Sequence, residues 1–154
     1  MERISYNEMP AGIYESMLQV QKFIDSSNLD FKLLELMRTR VSQINGCAYC
    51  LDMHYKEAIH AGEDHLRLIS VSAWREAPYY SEKEQAVLAF AERLTRMPEE
   101  ESNEDIHDEL IEHFTKEEIA ILTLAVAQIN SWNRLVKSFG PVPGKYKVRV
   151  AESV

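Results

Sequence analysis

Residues 31–62 read FKLLELMRTRVSQINGCAYCLDMHYKEAIHAG and predict two helices joined by a tight turn. In the first half, apolar side chains recur at the spacing of one helical face, at Leu34, Met37, Val41 and Ile44. The dipeptide Asn45-Gly46 is a turn signal between the two halves. The stretch therefore predicts a helical hairpin, with one helix over about residues 30–45 and the next from near Cys47 to Gly62.

The rest of the chain shows the same alternation of apolar helical periodicity with glycine or proline punctuation. Two capping boxes mark helix starts, since Ser81 is followed by Glu84 and Thr115 by Glu118. The further predicted helices span about 12–25, a short segment after Asp64, a segment after Ser81, a short acidic one at about 103–114, and a long one after Thr115. Residues 1–154 thus predict a single all-α domain, a compact bundle of about six to seven helices.

The C-terminal tail, about residues 141–154, departs from the helical pattern. Basic and apolar side chains alternate there with a period of two, which is typical of extended backbone. The basic ones are Lys145, Lys147 and Arg149, and the apolar ones are Tyr146, Val148 and Val150. Two interpretations stay open: a loosely ordered terminus, or an arm that docks on a neighbouring subunit.

Composition narrows the range of partners. The formal net charge of −8 at pH 7 disfavours nonspecific binding to nucleic acid or to an anionic membrane. No run of about 18 apolar residues is present, and the N-terminal MERIS lacks the apolar run of a signal peptide. We therefore expect a cytoplasmic protein. In that reducing compartment, a CxxC pair is more often redox-active or metal-binding than a structural disulfide.

Both cysteines of the chain lie in one CxxC run, and a histidine follows four residues later. Because an α-helix turns by about 100° per residue, Cys47, Cys50 and His54 share one face. A free thiol has a pKa of about 8.5 and must become a thiolate to react. Gly46 breaks the chain just before Cys47, so the run opens a helix, where the helix dipole favours the anion. His54, one turn after Cys50, is close enough to accept or relay its proton.

Glu35 is a further candidate for this chemistry. It lies on the preceding helix among apolar residues, where a charged side chain is not expected. If the hairpin is antiparallel, Glu35 can face His54, and partial burial would raise the pKa of its carboxyl and suit it to moving protons. The alternative is an ordinary pairing with Arg38 or Thr39, and the two interpretations stay open.

A metal site or a cofactor site explains the same residues less well than thiol chemistry does. A closed structural zinc site takes four ligands. Three of them, Cys47, Cys50 and His54, are local. The fourth, His60 or His113, would have to come from a distant position. Haem attachment requires CxxCH, but leucine follows the second cysteine, and thioredoxin-like use requires a βαβ pattern that is missing. We therefore expect neither a metal nor an organic cofactor.

These residues resemble a known family. Glu35, the run from Cys47 to Cys50, and then His54, with twelve residues from the glutamate to the first cysteine, are similar to the alkylhydroperoxidase D (AhpD-like) branch of the carboxymuconolactone decarboxylase family. Further similar segments are AIHAG at 58–62, INSWNRL at 129–135 and PVPG at 141–144. The resemblance implies an AhpD-like helical fold, a homo-oligomer (a trimer or hexamer), and thiol-dependent reduction of hydroperoxides without haem or metal.

The resemblance also implies a role for each site residue. Cys50 would attack the peroxide, and Cys47 would be its resolving partner. Glu35 and His54 would form the proton relay. Family members with peroxidase activity can carry a histidine just before the second cysteine, where this chain has Tyr49. The decarboxylase branch proper lacks the CxxC run, so that activity is the less expected one.

Thiol chemistry is consistent with the same cycle. A thiolate that attacks a hydroperoxide gives a sulfenic acid and an alcohol, and the second cysteine condenses with the sulfenic acid to a disulfide. We therefore predict a reversible Cys47–Cys50 disulfide. A dithiol or a thioredoxin-like protein must reopen it, and the more exposed sulfur receives that attack. The helix start places Cys47 nearer the exposed end, although thioredoxin-type logic would instead make Cys47 the nucleophile.

Two other functions stay open. Glu35 and His54 could serve a lyase or isomerase that acts on a small ring acid, with the thiols incidental. Alternatively, the chain could be a redox-responsive binding module whose thiols report oxidation without turnover. Consumption of peroxide with a dithiol reductant would separate the peroxidase from both.

Overall fold

The computed structural model describes residues 2–97 and 107–148. Within these residues the chain forms seven α-helices and no strand, so the predicted all-α fold is confirmed. The helices are α1 (Ile13–Asp25), α2 (Phe31–Ile44), α3 (Ala48–His60), α4 (His65–Ser70), α5 (Glu82–Arg96), α6 (Asp108–Ile111) and α7 (Lys116–Phe139). None of these helices combines the length and the apolar character that crossing a lipid bilayer requires.

Polar caps fix where the helices begin. The Ser81 hydroxyl accepts from the Glu84 amide at 3.3 Å, and the Glu84 carboxylate accepts from the Ser81 amide at 2.8 Å, which confirms the capping box before α5. Thr115 opens α7 with the same kind of box. Of the predicted helix at 103–114, the structure shows α6, and residues 98–106 lie outside its described part.

Helix α2 lies at the centre of the bundle and packs against α3, α5 and α7. Its side chains Leu36, Met37 and Val41 are fully buried, and each such burial contributes about 1.5–3 kcal/mol. The same helix also buries Glu35 and Arg38. Because a polar group removed from water needs partners inside the protein, α2 carries a polar cluster within the core.

The α2–α3 hairpin is antiparallel, as its sequence predicts. Near the turn, the Cys47 amide donates to the Ser42 carbonyl at 3.0 Å. At the far end, His54 Nδ1 lies 2.7 Å from Glu35 Oε2. Gly46 occupies the turn with a φ of +62°, a left-handed conformation that glycine adopts at little cost. These contacts fix how α2 and α3 align along each other, so that Glu35 of α2 lies level with His54 of α3.

Side chains of α7 hold the hairpin turn in place. The Asn45 side-chain amide donates to Asn133 Oδ1 at 2.8 Å and to Asn130 Oδ1 at 3.0 Å. Lys137 Nζ donates to the Asn45 carbonyl at 2.7 Å. Asn133, which is fully buried, also donates to Ser42 Oγ at 3.1 Å. The start of α3 is therefore held against α7.

The tail lies along α3 of the same chain. Asp52 Oδ2 accepts from the amides of Gly144 at 2.8 Å and Tyr146 at 3.3 Å. Lys56 Nζ donates to the carbonyls of the same two residues at 3.3 and 3.0 Å. Helix α3 of the same chain thus satisfies the backbone groups of Gly144 and Tyr146, so this part of the tail is docked rather than loose. Residues 149–154 lie outside the described part of the chain.

Candidate active site

The two cysteines lie at the start of α3, as the sequence predicts. Cys47 is the N-cap residue of this helix, and Cys50 lies within its first turn. A disulfide joins their sulfurs, and their Cα atoms are 5.4 Å apart, which is an ordinary separation for a disulfide. The predicted Cys47–Cys50 pairing is therefore present in the structure.

His54 and Glu35 face each other in the core, one helical turn beyond the disulfide. His54 Nδ1 lies 2.7 Å from Glu35 Oε2, and the two residues are 3% and 2% exposed. A carboxylate beside Nδ1 favours the tautomer in which Nδ1 carries the proton. Nε2 then offers a free lone pair, and this buried atom has no hydrogen-bond partner in the described part of the chain. An imidazole held in this way can accept a proton at Nε2.

Arg38 anchors the other oxygen of Glu35. Its Nη1 donates to Glu35 Oε1 at 2.7 Å, and its Nη2 donates to Asp25 Oδ1 at 2.8 Å. The Arg38 side chain is 1% exposed and that of Asp25 is 32% exposed. Hydrogen bonds therefore run from His54 through Glu35 and Arg38 to Asp25 near the surface. Both sequence interpretations of Glu35 hold at once: it faces the histidine and pairs with the arginine.

The pKa of Glu35 is lowered, whereas the sequence analysis predicts that burial raises it. Burial is the largest single influence and does raise this pKa, but the charges and hydrogen bonds of His54 and Arg38 together outweigh it. Glu35 is therefore ionised at neutral pH. An ionised Glu35 can orient His54 and stabilise its protonated form, but it does not serve as a proton donor.

The prediction that Cys47 is the more exposed cysteine is wrong. Cys47 and Cys50 are each 1% exposed. A helix start faces water only where no other element packs against it, whereas here the hairpin turn and α3 both contact α7. Exposure therefore does not distinguish the sulfur that a reductant attacks.

Two tyrosines lie around the site. Tyr49, within the CxxC run, is half-buried, and burial raises the pKa of its hydroxyl, with smaller contributions from Tyr14 and Asp52. Tyr146 from the tail donates its hydroxyl to Glu57 Oε1, and its pKa is raised first by burial and then by this carboxylate. Sequence reasoning missed the placement of Tyr146, because the docking of an extended tail has no local signal.

The residues considered for zinc do not come together. Within residues 2–97 and 107–148, no group of three or more His, Cys, Asp or Glu side chains is placed to hold a metal ion. His60 is exposed at the last residue of α3, and His113 lies in the turn after α6. A disulfide also withholds both cysteines as thiolate ligands.

The sequence of this chain matches a known protein family. The sequence profile of the carboxymuconolactone decarboxylase family matches residues 11–93, a range that contains the CxxC run, the histidine and the glutamate. An uncharacterised protein of Bacillus subtilis (strain 168), YdfG, is 35% identical over 139 residues, which are 90% of this chain and 95% of YdfG.

Solved structures show the same fold. ATU0492 from Agrobacterium tumefaciens, a protein of unknown function described as a candidate antioxidant defence protein AhpD, is 34% identical with a TM-score of 0.86. The match covers 97% of this chain and all of ATU0492. A peroxidase-related protein with an AhpD core from Ralstonia eutropha JMP134 has a TM-score of 0.75 at 21% identity, over 86% of this chain and 70% of its own, and shows the fold alone. By its sequence match and its fold, this chain belongs to the AhpD-like branch of the carboxymuconolactone decarboxylase family.

Proposed function

We propose that this protein is a thiol-dependent peroxidase, which reduces hydroperoxides through the Cys47–Cys50 pair with a proton relay of His54 and Glu35. One observation carries the proposal: an ionised, buried Glu35 holds His54 one turn from Cys50, and Nε2 is unpaired among the residues that the structure describes. A purely structural disulfide has no need of such a base. Membership of the AhpD-like branch supports the same activity.

In the reduced protein, His54 and the helix start would together activate Cys50. Residues four apart lie on one face of a helix, so His54 Nε2 can take the Cys50 thiol proton. The first turn of α3 adds its dipole, which favours the thiolate. Cys47 lies two turns from His54, and Cys50 lies one turn away. The arrangement therefore favours Cys50 as the attacking sulfur.

The proposed cycle uses one hydroperoxide and two thiols. The Cys50 thiolate attacks the terminal oxygen of ROOH, so that an S–O bond forms and the O–O bond breaks. The departing alkoxide takes a proton from the His54 imidazolium and leaves as ROH. The Cys47 sulfur then attacks the sulfenic sulfur, so that the S–S bond forms and the S–O bond breaks, and the displaced hydroxide takes the proton of the Cys47 thiol and leaves as water.

A reductant must supply two electrons to restore the thiols. A dithiol, either small or on a thioredoxin-like protein, would attack one sulfur and leave as its own disulfide. Both cysteines are 1% exposed in the oxidised state, so the start of α3 must open before exchange. A small dithiol needs less opening than a protein partner, and we expect it to be the faster donor.

The test is peroxide consumption with a panel of dithiol donors, for the wild type and both single cysteine variants. We expect turnover in the wild type and none in Cys50→Ser. Without a donor, reduced Cys47→Ser should consume one equivalent of peroxide and then hold a sulfenic acid on Cys50, which dimedone traps. Turnover that persists in Cys50→Ser would contradict the proposed roles, and a dimedone adduct on Cys47 in that variant would reverse them.

A lyase acting on a small ring acid is the second candidate, since the Glu35–His54 pair can move protons without sulfur. For that function, a double variant with serine at both cysteine positions keeps its activity. For the peroxidase, the same variant has none. Oxidation of the thiols without sustained peroxide consumption would instead identify a redox-responsive binding module.

A further inference from the structure

A cavity of about 700 Å³ lies beside the candidate site, between α2, α3 and α4. Its lining includes the buried Thr39 of α2 and the half-buried Leu51 of α3. Leu66 and Ile69 of α4 also line it and are 53% and 72% exposed. A cavity of this size suits a small organic molecule.

The hairpin register places Thr39 level with the attacking cysteine. Glu35 on α2 contacts His54 on α3 at 2.7 Å. In an antiparallel pair, one turn forward along α2 corresponds to one turn back along α3, so Thr39 lies opposite Cys50. Leu51, the residue after Cys50, lines the cavity as well. The cavity therefore reaches the seam that carries the thiol.

The Thr39 hydroxyl lacks the bond that a helical threonine usually makes. Thr39 is 3% exposed, and its Oγ1 has no hydrogen-bond partner among the described residues. A threonine hydroxyl in a helix commonly bonds to the carbonyl one turn earlier, as Thr123 does with Ile119 at 2.8 Å. A buried polar atom without a partner costs free energy. A ligand in the cavity would supply the missing partner.

The other polar side chains of the lining are already paired. The pairs are Asp52 with Lys56 at 2.6 Å, Tyr55 with His65 at 2.6 Å, and Gln43 with Arg40 at 3.3 Å. The remaining lining residues are leucines and an isoleucine. The cavity thus has an apolar wall and one hydroxyl, that of Thr39, without a partner among the described residues. Such a lining suits a neutral, mostly apolar ligand.

We propose that this cavity binds the organic part of the hydroperoxide and that Thr39 anchors its oxygens opposite Cys50. The inference rests on the proposed peroxidase function. The carbon group lies against Leu51, Leu66 and Ile69. The Thr39 hydroxyl donates to the inner oxygen, which becomes the alkoxide when the O–O bond breaks.

Two exposed isoleucines provide a matched test of the apolar wall. Ile69 lines the cavity, whereas Ile111 on α6 is 58% exposed and lies outside the lining. Ile69→Ser should lower kcat/KM for cumene hydroperoxide about tenfold and leave that for hydrogen peroxide, which has no organic group, unchanged. Ile111→Ser should change neither. Equal effects of the two variants, or no loss in Ile69→Ser, would overturn the site.

Thr39 is tested by removing only its hydroxyl. Thr39→Val should lower kcat/KM for both peroxides about tenfold, the effect of one hydrogen bond, and Thr39→Ser should restore it. Because the lost hydroxyl is unpaired, thermal stability should stay equal or rise in Thr39→Val. A loss of activity that parallels a loss of stability, without rescue by serine, would overturn the anchoring role.

Binding separates failure of the site from failure of the function. Cumyl alcohol, the product of cumene hydroperoxide, is titrated into the oxidised protein, and we expect wild type and Ile111→Ser to bind it more tightly than Ile69→Ser. This pattern without any peroxide turnover would overturn the peroxidase and support the site. Turnover of hydrogen peroxide without alcohol binding would overturn the site alone.

A change of oligomeric state in Ile69→Ser, seen by sedimentation, would make this face a contact between copies and also overturn the site.

Discussion

Glu35, Arg38 and Asp25 form a chain of charges inside the protein whose role is positional. Apolar residues of similar size often stabilise a core as well as a buried ion pair does. These charged side chains do give the imidazole of His54 one orientation, because Arg38 holds Oε1 of Glu35 while Oε2 faces His54. At the scale of single residues, the charges thus serve the placement of His54 Nε2.

Glu35 and His54 should act as a unit. Glu35→Gln removes the anion and lets an amide donate to His54 Nδ1, which favours the tautomer whose Nε2 cannot accept a proton. Glu35→Gln and His54→Gln should each lower peroxide turnover about 10²–10⁴-fold. The double variant should resemble the worse single one, because both changes interrupt the same proton path.

The alkylation rate of Cys50 against pH, in the reduced protein, checks this prediction independently of turnover. In both single variants Cys50 should be alkylated more slowly, and the pH midpoint of its alkylation should move upward. The reason is that the Cys50 thiol loses the base that accepts its proton. If alkylation is unchanged while turnover falls, Glu35 and His54 do not activate Cys50. They would instead act by protonating the departing alkoxide.

Glu92 predicts how the protein responds to acid. It accepts hydrogen bonds from Arg40 at 2.6 Å, Arg75 at 2.8 Å and Trp74 at 3.0 Å. Burial raises its pKa, but these bonds lower it from 4.5 to about 2. Its contribution to stability is therefore complete above about pH 4.5 and is lost as the pH falls towards 2. In urea unfolding, the free energy of unfolding of the wild type should be well above that of Glu92→Gln at neutral pH. The difference between the two should close as the pH falls below 4.5.

The exposed Glu112, in the turn after α6, provides the control for that experiment. Glu112→Gln should follow the wild-type curve at every pH. A gap between wild type and Glu92→Gln that stays constant down to pH 2 would show that the carboxylate does not carry the stabilisation.

At the scale of elements, the sequence predicts the α2–α3 hairpin because its signals are local. Gly46 marks the turn, the capping boxes mark other helix starts, and the apolar repeat of α2 gives its buried face. Since the helical register follows from these bounds, the approach of Glu35 to His54 is predictable as well.

Contacts between distant segments have no such local signal. Asp25 reaches Arg38 from the end of α1. The charges and hydrogen bonds of His54 and Arg38, which meet Glu35 only in the packed core, reverse the expected pKa shift of Glu35. Asn133 meets the hairpin turn from α7 at Asn45, and Cys47 beside that turn is buried. Both depend on how the helices pack, which the periodicity of one helix does not contain.

Asp52 is the residue of α3 that contacts both the tail backbone and the lysine that also holds the tail. Asp52 accepts both tail amides and pairs with Lys56, so Asp52→Ala should release residues 144–146. Trypsin should then cleave after Lys145 several-fold faster, as local opening predicts. Asp108→Ala, at an exposed position on α6, is the control and should not change the cleavage rate. Equal cleavage in all three proteins would show that Asp52 does not hold the tail.

At the scale of the whole molecule, α2 separates two apolar clusters. Met37, with Phe90 of α5, belongs to the larger one, and Leu36, with Trp74 after α4, belongs to the smaller one. The candidate site lies where α2 meets α3, so the helix that carries Glu35 is packed on both sides. This central placement explains how charged residues of α2 can be fixed so firmly.

We expect a homo-oligomer, and α7 provides the candidate contact surface. Within the chain, α7 buries one broad face, and an outer stripe of Ala120, Leu124 and Ala127 stays exposed. Sedimentation velocity across a dilution series should show an oligomer, and Leu124→Glu should weaken it by placing a charge in an apolar contact. A monomer at all concentrations would contradict this expectation.

Whether Cys50 reduces a hydroperoxide and Cys47 closes the cycle can be measured in a single-turnover reaction. Reduced protein is mixed with less than one equivalent of hydroperoxide and no reductant, and alcohol, free thiols and the disulfide-linked peptide are quantified by mass spectrometry. We expect one alcohol and one Cys47–Cys50 disulfide for each peroxide consumed, and no alcohol in Cys50→Ser. Intact peroxide beside intact thiols, or equal alcohol formation in Cys50→Ser, would contradict this cycle.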